Sequence, residues 1–498
     1  MLKSILTSPV SKYLSSTVKS KANSAVQDQE ALMHSLVFQA KETEFGKDHR
    51  FDKIKNYEDF KHQVPVKDYE QLRPYFNRVV KNEANILWPG IPKYFAKTSG
   101  TTSGVKYIPI TKQSMPHHID TARDALFNFM SKSGSNKIMN GKLIFLSGSP
   151  VLSTEGTIAT GRLSGIVNHE VPSWLQKNYV PSFETNCIEP WEAKVEKIVE
   201  ETAAHDLRLI SGIPPWVQMY FEKLLDYTGK STIKDIFPNF NLFIFGGVDY
   251  EPYRAKLDAL IGERIHTLET YPASEGFFAF QDQVVHEGLL LQTSNGIFYE
   301  FVPVEEIFNE SPTRLKMSEI ELGVNYAIIL NTDAGLWGYN IGDTVKFVSK
   351  KPYRLIVTGR VKHFISAFGE HVIAKEVETA MIETCKQFAA SIVEFTVAPN
   401  VNPKDGQLPY HEWFVEFEKA PENLPDFEAV LDKNMVEQNI YYEDLISGGI
   451  LRPLEIRSLK KSAFRKYMDS IGKLGGQNKV PRLSNDRKIA NILDNLNV

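Results

Sequence analysis

The chain has 498 residues, of which 42% are hydrophobic and 24% charged, with a formal net charge of −4. That length exceeds one ordinary core and suffices for two or three. The small net charge supplies no global field for nucleic acid or an anionic membrane, and two cysteines, Cys187 and Cys385, without C-x-x-C spacing exclude a disulfide framework. Buried free thiols in a reducing cytoplasm are expected. No apolar run is long enough to predict a transmembrane helix.

From Met1 to Val26 there is no acidic residue, while Lys3, Lys12, Lys19 and Lys21 are basic and serine is frequent. That is partly presequence-like, but arginine is missing. The reading is an N-terminal amphipathic helix packing Leu2, Ile5, Leu6, Tyr13 and Leu14 onto the domain, with Pro9 interrupting any long helix. Asp28 to Gly46 reads as helix, because Leu32, Leu36, Val37 and Ala40 recur at helical spacing.

Lys97 to Pro109, KTSGTTSGVKYIP, comes next. It places the hydroxyls of Thr98, Ser99, Thr101, Thr102 and Ser103, the glycines Gly100 and Gly104, and Lys106 within one short span. Glycines let backbone N–H groups approach an anion, hydroxyls add neutral donors, and lysine adds a point charge. The span reads as a loop over a triphosphate or as a plain surface loop; it is not a Walker A motif. A helix from His118 to Ser131 follows, with Thr111 and Ser114 ahead of it.

Leu143 to Ser147, Leu207 to Ser211 and Leu242 to Gly246 are short apolar runs ended by turn residues, which predicts buried strands. Helix-like stretches, Trp216 to Tyr227 and Glu251 to Ile261, follow the last two. The alternation argues for an α/β sheet wound in βαβ units. Gly246-Gly247 ends one strand, where ligands of such sheets bind, or makes a simple strand-to-helix turn.

Tyr271-Pro-Ala-Ser274-Glu275-Gly276 offers a ring, a hydroxyl and a carboxylate. These suit a base, a phosphate and Mg²⁺; alternatively Glu275 opens a helix. Strands then dominate: Phe298 to Val302, Asn325 to Leu330, and Lys351 to Phe368. Within them Tyr339-Asn-Ile-Gly342-Asp343 supplies a carboxylate able to accept ribose hydroxyls or to cap a turn. Phe364 to Lys375 reads as a join, with Arg360 and Lys362 before it and Gly369 free to absorb dihedral change. Beyond it, strands Val393 to Pro399, His411 to Phe417 and Leu454 to Ser458, with a helix Pro421 to Asn439, form a small α+β module.

The order of phosphate loop, aromatic-x-x-[ST]-E and Y-x-x-G-D resembles the adenylate-forming superfamily. Within it the chain is most similar to the GH3 family of acyl-acid amido synthetases, in its bacterial form. Val64-Pro-Val-Lys-Asp68-Tyr69, Phe298-Tyr299-Glu300-Phe301-Val302-Pro303, Asn331-Thr332-Asp-Ala-Gly335-Leu336-Trp-Gly-Tyr339, Arg452-Pro453-Leu454-Glu455-Ile456-Arg457 and Gln477-Asn-Lys479-Val-Pro481-Arg482 carry the resemblance. Asn340 stands where the family usually has arginine. His371 falls where many plant members carry a lysine near the phosphate, and would be a pH-dependent cation.

The resemblance implies an α/β fold with a large adenylate-forming domain, 1–370, containing βαβ and β-rich parts, and a smaller mobile α+β cap, 371–498. It implies ATP and Mg²⁺ as cofactors, and a carboxylic acid and an amine, an amino acid in the family's manner, as substrates. It assigns Lys106, Thr101, Glu275 and His371 to catalysis, with Glu275 on the metal. Ser99, Gly100, Thr101, Thr102, Ser103, Gly104, Gly246, Gly247, Tyr271, Ser274, Asp343, Arg360 and Lys479 would hold the nucleotide, with Arg482 facing it in one orientation. Arg123 or Arg162 would meet the acid's carboxylate, and Leu163 to Trp174 and Ile213 to Tyr220 would line the acyl pocket. A monomer is expected, with no nucleic-acid or membrane partner. The alternatives are an acyl-CoA ligase and a nucleotide-binding regulator without turnover.

Overall fold

The computed structural model describes residues 2–98, 105–188, 191–247, 250–361, 364–365, 367–370, 372–471 and 480–496. Their strands are β1 (Tyr94–Thr98), β2 (Lys106–Ile110), β3 (Lys142–Phe145), β4 (Ser153–Glu155), β5 (Ile158–Gly161), β6 (Tyr179–Val180), β7 (Leu207–Ser211), β8 (Leu242–Gly246), β9 (His266–Ala273) and β10 (Gly276–Gln281). There follow β11 (Leu289–Leu291), β12 (Ile297–Pro303), β13 (Asn325–Thr332), β14 (Tyr339–Lys350), β15 (Tyr353–Arg360), β16 (Phe364–Ile365), β17 (Val372–Ile373), β18 (Ser391–Asn400), β19 (Tyr410–Lys419) and β20 (Glu455–Ser458).

An 11-stranded sheet runs β12-β13-β14-β15-β11-β10-β9-β8-β7-β3-β6. Strands β6, β3, β7, β8 and β9 are parallel, so their carboxyl ends open on one edge. Helices Trp191–Thr202, Pro214–Thr228 and Glu251–Ile261 make the crossovers. Strands β9 to β15 pair antiparallel and form the β-rich part. One chain therefore supplies both predicted patterns, but in one continuous sheet.

Strand β12 is buried from Ile297 to Val302, and this burial imposes a cost on its polar residue. Glu300 meets it by accepting from Arg314 (2.9 and 2.6 Å), the Tyr57 hydroxyl (2.9 Å) and Asn331 Nδ2 (2.9 Å). Buried charge persists only with such full satisfaction. Helix Ala25–Ala40 is stitched to the same strand by Gln29, which donates to the Ile297 carbonyl (2.7 Å) and accepts the Tyr299 N–H (2.8 Å).

The N-terminal helix differs from expectation. It runs unbroken from Leu2 to Asn23 with Pro9 inside it. Proline costs a helix about 3 kcal/mol, and docking offsets that cost: Leu14, Val18 and Ala22 join a core with Phe127, Phe129 and Leu290, and Ser15 Oγ donates to Asn128 Oδ1 (2.9 Å). Tyr13, expected to pack, is 71% exposed. The side chains of Leu2, Ile5 and Leu6 lie outside the described residues.

The C-terminal module has β18 and β19 antiparallel and β20 parallel to β19. It shares a core with the parallel half of the main sheet: Phe243, Tyr253 and Leu257 belong to the same cluster as Phe368, Trp413 and Phe427. The join is tied to both sides. Tyr253 donates to the Ala367 carbonyl (2.7 Å), whereas Glu370 accepts the Phe368 N–H (2.8 Å) and meets His411 Nε2 of β19 (2.8 Å), both side chains fully buried. Gly369 lies between these ties with φ +93°, a conformation glycine adopts without penalty.

Candidate functional site

Lys106 opens β2 directly opposite Thr98 of β1, so residues 99–105 are the connection of a hairpin. Ser99, Gly100, Thr101, Thr102, Ser103 and Gly104 lie outside the described residues. Lys106 is buried, with Nζ 5.5 Å from the centre of the Tyr69 ring. Tyr69 is held in turn: it begins the helix Tyr69–Val80, which Asp68 and Gln71 cap reciprocally, and its hydroxyl accepts the Tyr107 N–H (2.9 Å). Burial lowers the Lys106 pKa, and the Glu275 carboxylate partly restores it.

Ser274 and Glu275 form the two-residue turn between β9 and β10. Glu275 therefore belongs to a hairpin rather than a helix start. Its Oε1 accepts from the Tyr339 hydroxyl (3.3 Å). Burial raises its pKa and Lys106 opposes the rise.

Asp343 occupies β14 opposite Arg360 of β15. Its Oδ1 meets Arg360 Nε at 2.8 Å and its Oδ2 accepts from the Tyr271 hydroxyl at 2.7 Å. Each oxygen keeps a further lone pair for an incoming hydroxyl. Arg360 also donates to the Ile341 carbonyl (2.8 Å). Burial would lower its pKa, but Asp343 and Glu275 outweigh burial and leave it raised. Asn340, the departure from arginine, lies within β14 and accepts the Gly342 N–H (2.9 Å) where the register against β13 shifts, just ahead of Asp343.

Gly246 ends β8 beside Thr270 of β9, one residue before Tyr271. A Cβ at Gly246 would overlap the Thr270 carbonyl, and Gly247 has φ +77°. The backbone here is bare at the carboxyl edge of the parallel strands, as a flat ligand requires.

Thus Lys106, Gly246, Tyr271, Ser274, Glu275, Asp343 and Arg360, which are distant in sequence, come together. Tyr69 and Tyr339 join them. Sequence reasoning gave these two no role, although each stood inside a quoted motif next to a charged or glycine residue. Buried Lys194 was also missed; its Nζ donates to the Ser147 carbonyl (3.1 Å) just after β3, and burial lowers its pKa to about 8.

Other expectations are corrected or fall elsewhere. Arg123 pairs with Asp120 (2.7 Å) and Asp124 (2.8 Å) on its own helix. Arg162 pairs with Asp444 of the C-terminal module. Arg482 meets Glu378 (3.1 Å) and Glu394, so its charge is taken up within that module. Leu163 and Val167 pack against one core, and Trp216 and Tyr220 belong to another, as helical apolar stripes commonly do. His371, Lys362 and Lys479 lie outside the described residues. Burial raises the pKa of both thiols, which argues against a reactive thiolate. No helix among the described residues is long and apolar enough to cross a membrane.

A jasmonoyl-L-amino acid synthetase of Nicotiana attenuata, JAR6, is 24% identical over 505 residues, covering 85% of each chain. A second, GH3.5 of Oryza sativa subsp. japonica, is 22% identical and covers 88% of each. Among solved structures, the AtGH3.15 acyl acid amido synthetase in complex with 2,4-DB aligns over 98% of this chain and 96% of its own, with a TM-score of 0.62 and 15% identity. A 2-hydroxyisobutyryl-CoA ligase with 2-HIB-AMP and CoA aligns over 94% and 91%, with a TM-score of 0.58 and 14% identity. The GH3 family N-terminal domain matches residues 15–189, its central domain residues 290–360 and its C-terminal domain residues 375–488. Those segments hold Lys106, Asp343 and Arg360 and run through most of the chain, which therefore belongs to the GH3 family.

Proposed function

We propose that the chain is an AMP-forming ligase that joins a carboxylic acid to an amine, with an amino acid as the amine. A carboxylate oxygen of the acid attacks the α-phosphorus of ATP, and the bond to pyrophosphate breaks. The amine nitrogen then attacks the acyl carbon, AMP departs, and the nitrogen gives up a proton. The carrying observation is the convergence of Lys106, Glu275, Asp343, Arg360, Tyr271 and Tyr339 beside the bare Gly246-Gly247 edge.

Positioning and charge neutralisation dominate such chemistry. In this reading Lys106 and the hydroxyl-rich loop before it, Thr101 included, meet the phosphates. Asp343 accepts the ribose hydroxyls while Arg360 and Tyr271 hold its carboxylate in place. Tyr271 and Gly246-Gly247 border the base. His371 and Lys479 supply further cations from the join and the cap. Mg²⁺ typically uses one or two carboxylates plus substrate phosphates, and Glu275 offers one; when bound, the ion neutralises phosphate charge. Tyr339 keeps the Glu275 carboxylate oriented. Residues 1–370 form the adenylation domain and residues 371–498 the cap. Two unpaired thiols suit a reducing compartment such as the cytoplasm.

A screen of carboxylic acids for ATP-dependent pyrophosphate release, followed by mass spectrometry with mixed amino acids and CoA, tests the reading. An amide product is expected. A thioester instead would make the protein an acyl-CoA ligase, whose fold it shares, and no turnover with any acid would reject both.

A further inference from the structure

Arg162 sits where the two parts of the chain meet. It follows β5, and its carbonyl accepts the Ile166 N–H (3.0 Å) at the start of the helix Leu163–Glu170. Its stem runs over Gly148, close enough that a Cβ there would lie 3.1 Å from Arg162 Cδ. Gly148 comes just after β3, so the stem crosses the carboxyl edge of the parallel strands. The guanidinium then reaches out of this domain. It pairs with Asp444 and lies 5.2 Å from the centre of the Tyr441 ring.

Both partners stand on the helix Ile440–Ser447, which is fastened to its own module. Asn439 Oδ1 accepts the N–H groups of Tyr441 (3.0 Å) and Tyr442 (2.9 Å), and Asn439 Nδ2 donates to Glu376 (2.9 Å). The Tyr442 hydroxyl donates to Asp432 (2.6 Å). Arg162 is thus fixed to the strands and Asp444 to the C-terminal module. A rotation that carries the helix Ile440–Ser447 away from Gly148 would part them.

We propose that Arg162 and Asp444 are a positioning pair that holds the C-terminal module in one of two working orientations, and so sets the balance between adenylation and amine transfer. The proposal rests on the two-step reading above. The pair is suited to this by its moderate strength. Both side chains are about one-third exposed, 30% and 31%, so solvent weakens the attraction. A bistable element needs a gap of a few kilocalories at most, which a weak pair can bias and a fully buried one would lock.

Arg162→Glu, Asp444→Arg and the charge-swapped double variant test it. Pyrophosphate release reads the first step. Single-turnover consumption of preformed acyl-adenylate on adding the amine reads the second. Each single change is expected to alter the ratio of the two rates by about three- to tenfold, in the same direction, because about 1 kcal/mol is at stake. The swap should return the ratio toward wild type. Arg162→Gln and Asp444→Asn should act in the same direction but less, and serve if the reversals fail to fold. Equal loss in both steps, or no rescue by the swap, would overturn the pair. So would a raised KM for the acid in Arg162→Glu alone, which would mark a substrate contact. Solution scattering of the ligand-free proteins reads orientation without chemistry: the singles should change the profile and the swap restore it, and unchanged profiles in the singles would count against the pair. Scattering therefore still decides the matter if the wild type activates no acid and the functional reading fails.

Discussion

Lys106 and Glu275 each stand against what burial would do to them. Burial disfavours both charges, and each partly restores the other's. A carboxyl whose pKa is raised takes up its proton sooner as pH falls, and a lysine whose pKa is lowered loses its proton sooner as pH rises. In the ligand-free protein Glu275 is therefore expected to take up its proton above the ordinary carboxyl range and Lys106 to lose its proton below the ordinary lysine range, which a titration followed by NMR would read. Glu275→Gln should raise the Mg²⁺ concentration required for pyrophosphate release; an unchanged Mg²⁺ dependence would take Glu275 off the metal. Asp343 makes a separate case, because its two oxygens are already oriented by Arg360 and Tyr271. Asp343→Ala should weaken AMP binding by about tenfold, or about 1.4 kcal/mol, measured by calorimetry. AMP affinity that survives the change would refute the ribose assignment.

At the scale of elements, the β1–β2 hairpin and strand β12 do different work. The hairpin presents Lys106 at one root of its loop. Lys106→Ala and Thr101→Val should each slow pyrophosphate release at least about tenfold. Strand β12 carries Glu300 in a buried network with Arg314, Tyr57 and Asn331. Glu300→Ala would strand Arg314 without its carboxylate, so denaturant unfolding should show a loss of about 3–5 kcal/mol. A loss under about 1 kcal/mol would mean that the network rearranges at little cost. With the larger loss, the aromatic-E-F-x-P signature would mark a folding requirement in this chain.

For the whole molecule, the join is tied to both parts of the chain. Tyr253 ties Ala367 to the large domain, His411 ties Glu370 to the module, and Gly369 stands between with positive φ. Proline at Gly369 cannot adopt that φ at all and would distort the join rather than merely stiffen it. Alanine is the more informative change. Gly369→Ala should penalise this orientation by about 1 kcal/mol and change the ratio of the two half-reactions and the scattering profile together. Identical scattering in ligand-free, ATP-bound and AMP-bound protein would defeat the moving cap.

The sequence by itself marked many of the elements and the candidate residues of the site. Apolar runs closed by turn residues marked β3, β7 and β8, helix-like stretches marked two of the three crossovers, the motifs named Lys106, Tyr271, Glu275 and Asp343, and Arg360 was placed just before the join. These are local properties, written in periodicity, glycine placement and side-chain type. Only the tertiary structure decided partnership. Strand β11 slots between β10 and β15, and Asp343 faces Arg360 through a hairpin whose register shifts twice along its length. Arg162 and Arg482 went to carboxylates of the chain itself, and Pro9 was absorbed into a docked helix. No local pattern encodes these outcomes, because a charge pairs with whichever opposite charge the register and the packing of distant segments bring beside it, and only where the pair is fully buried, as for Glu300 and Arg314, does burial make that pairing obligatory.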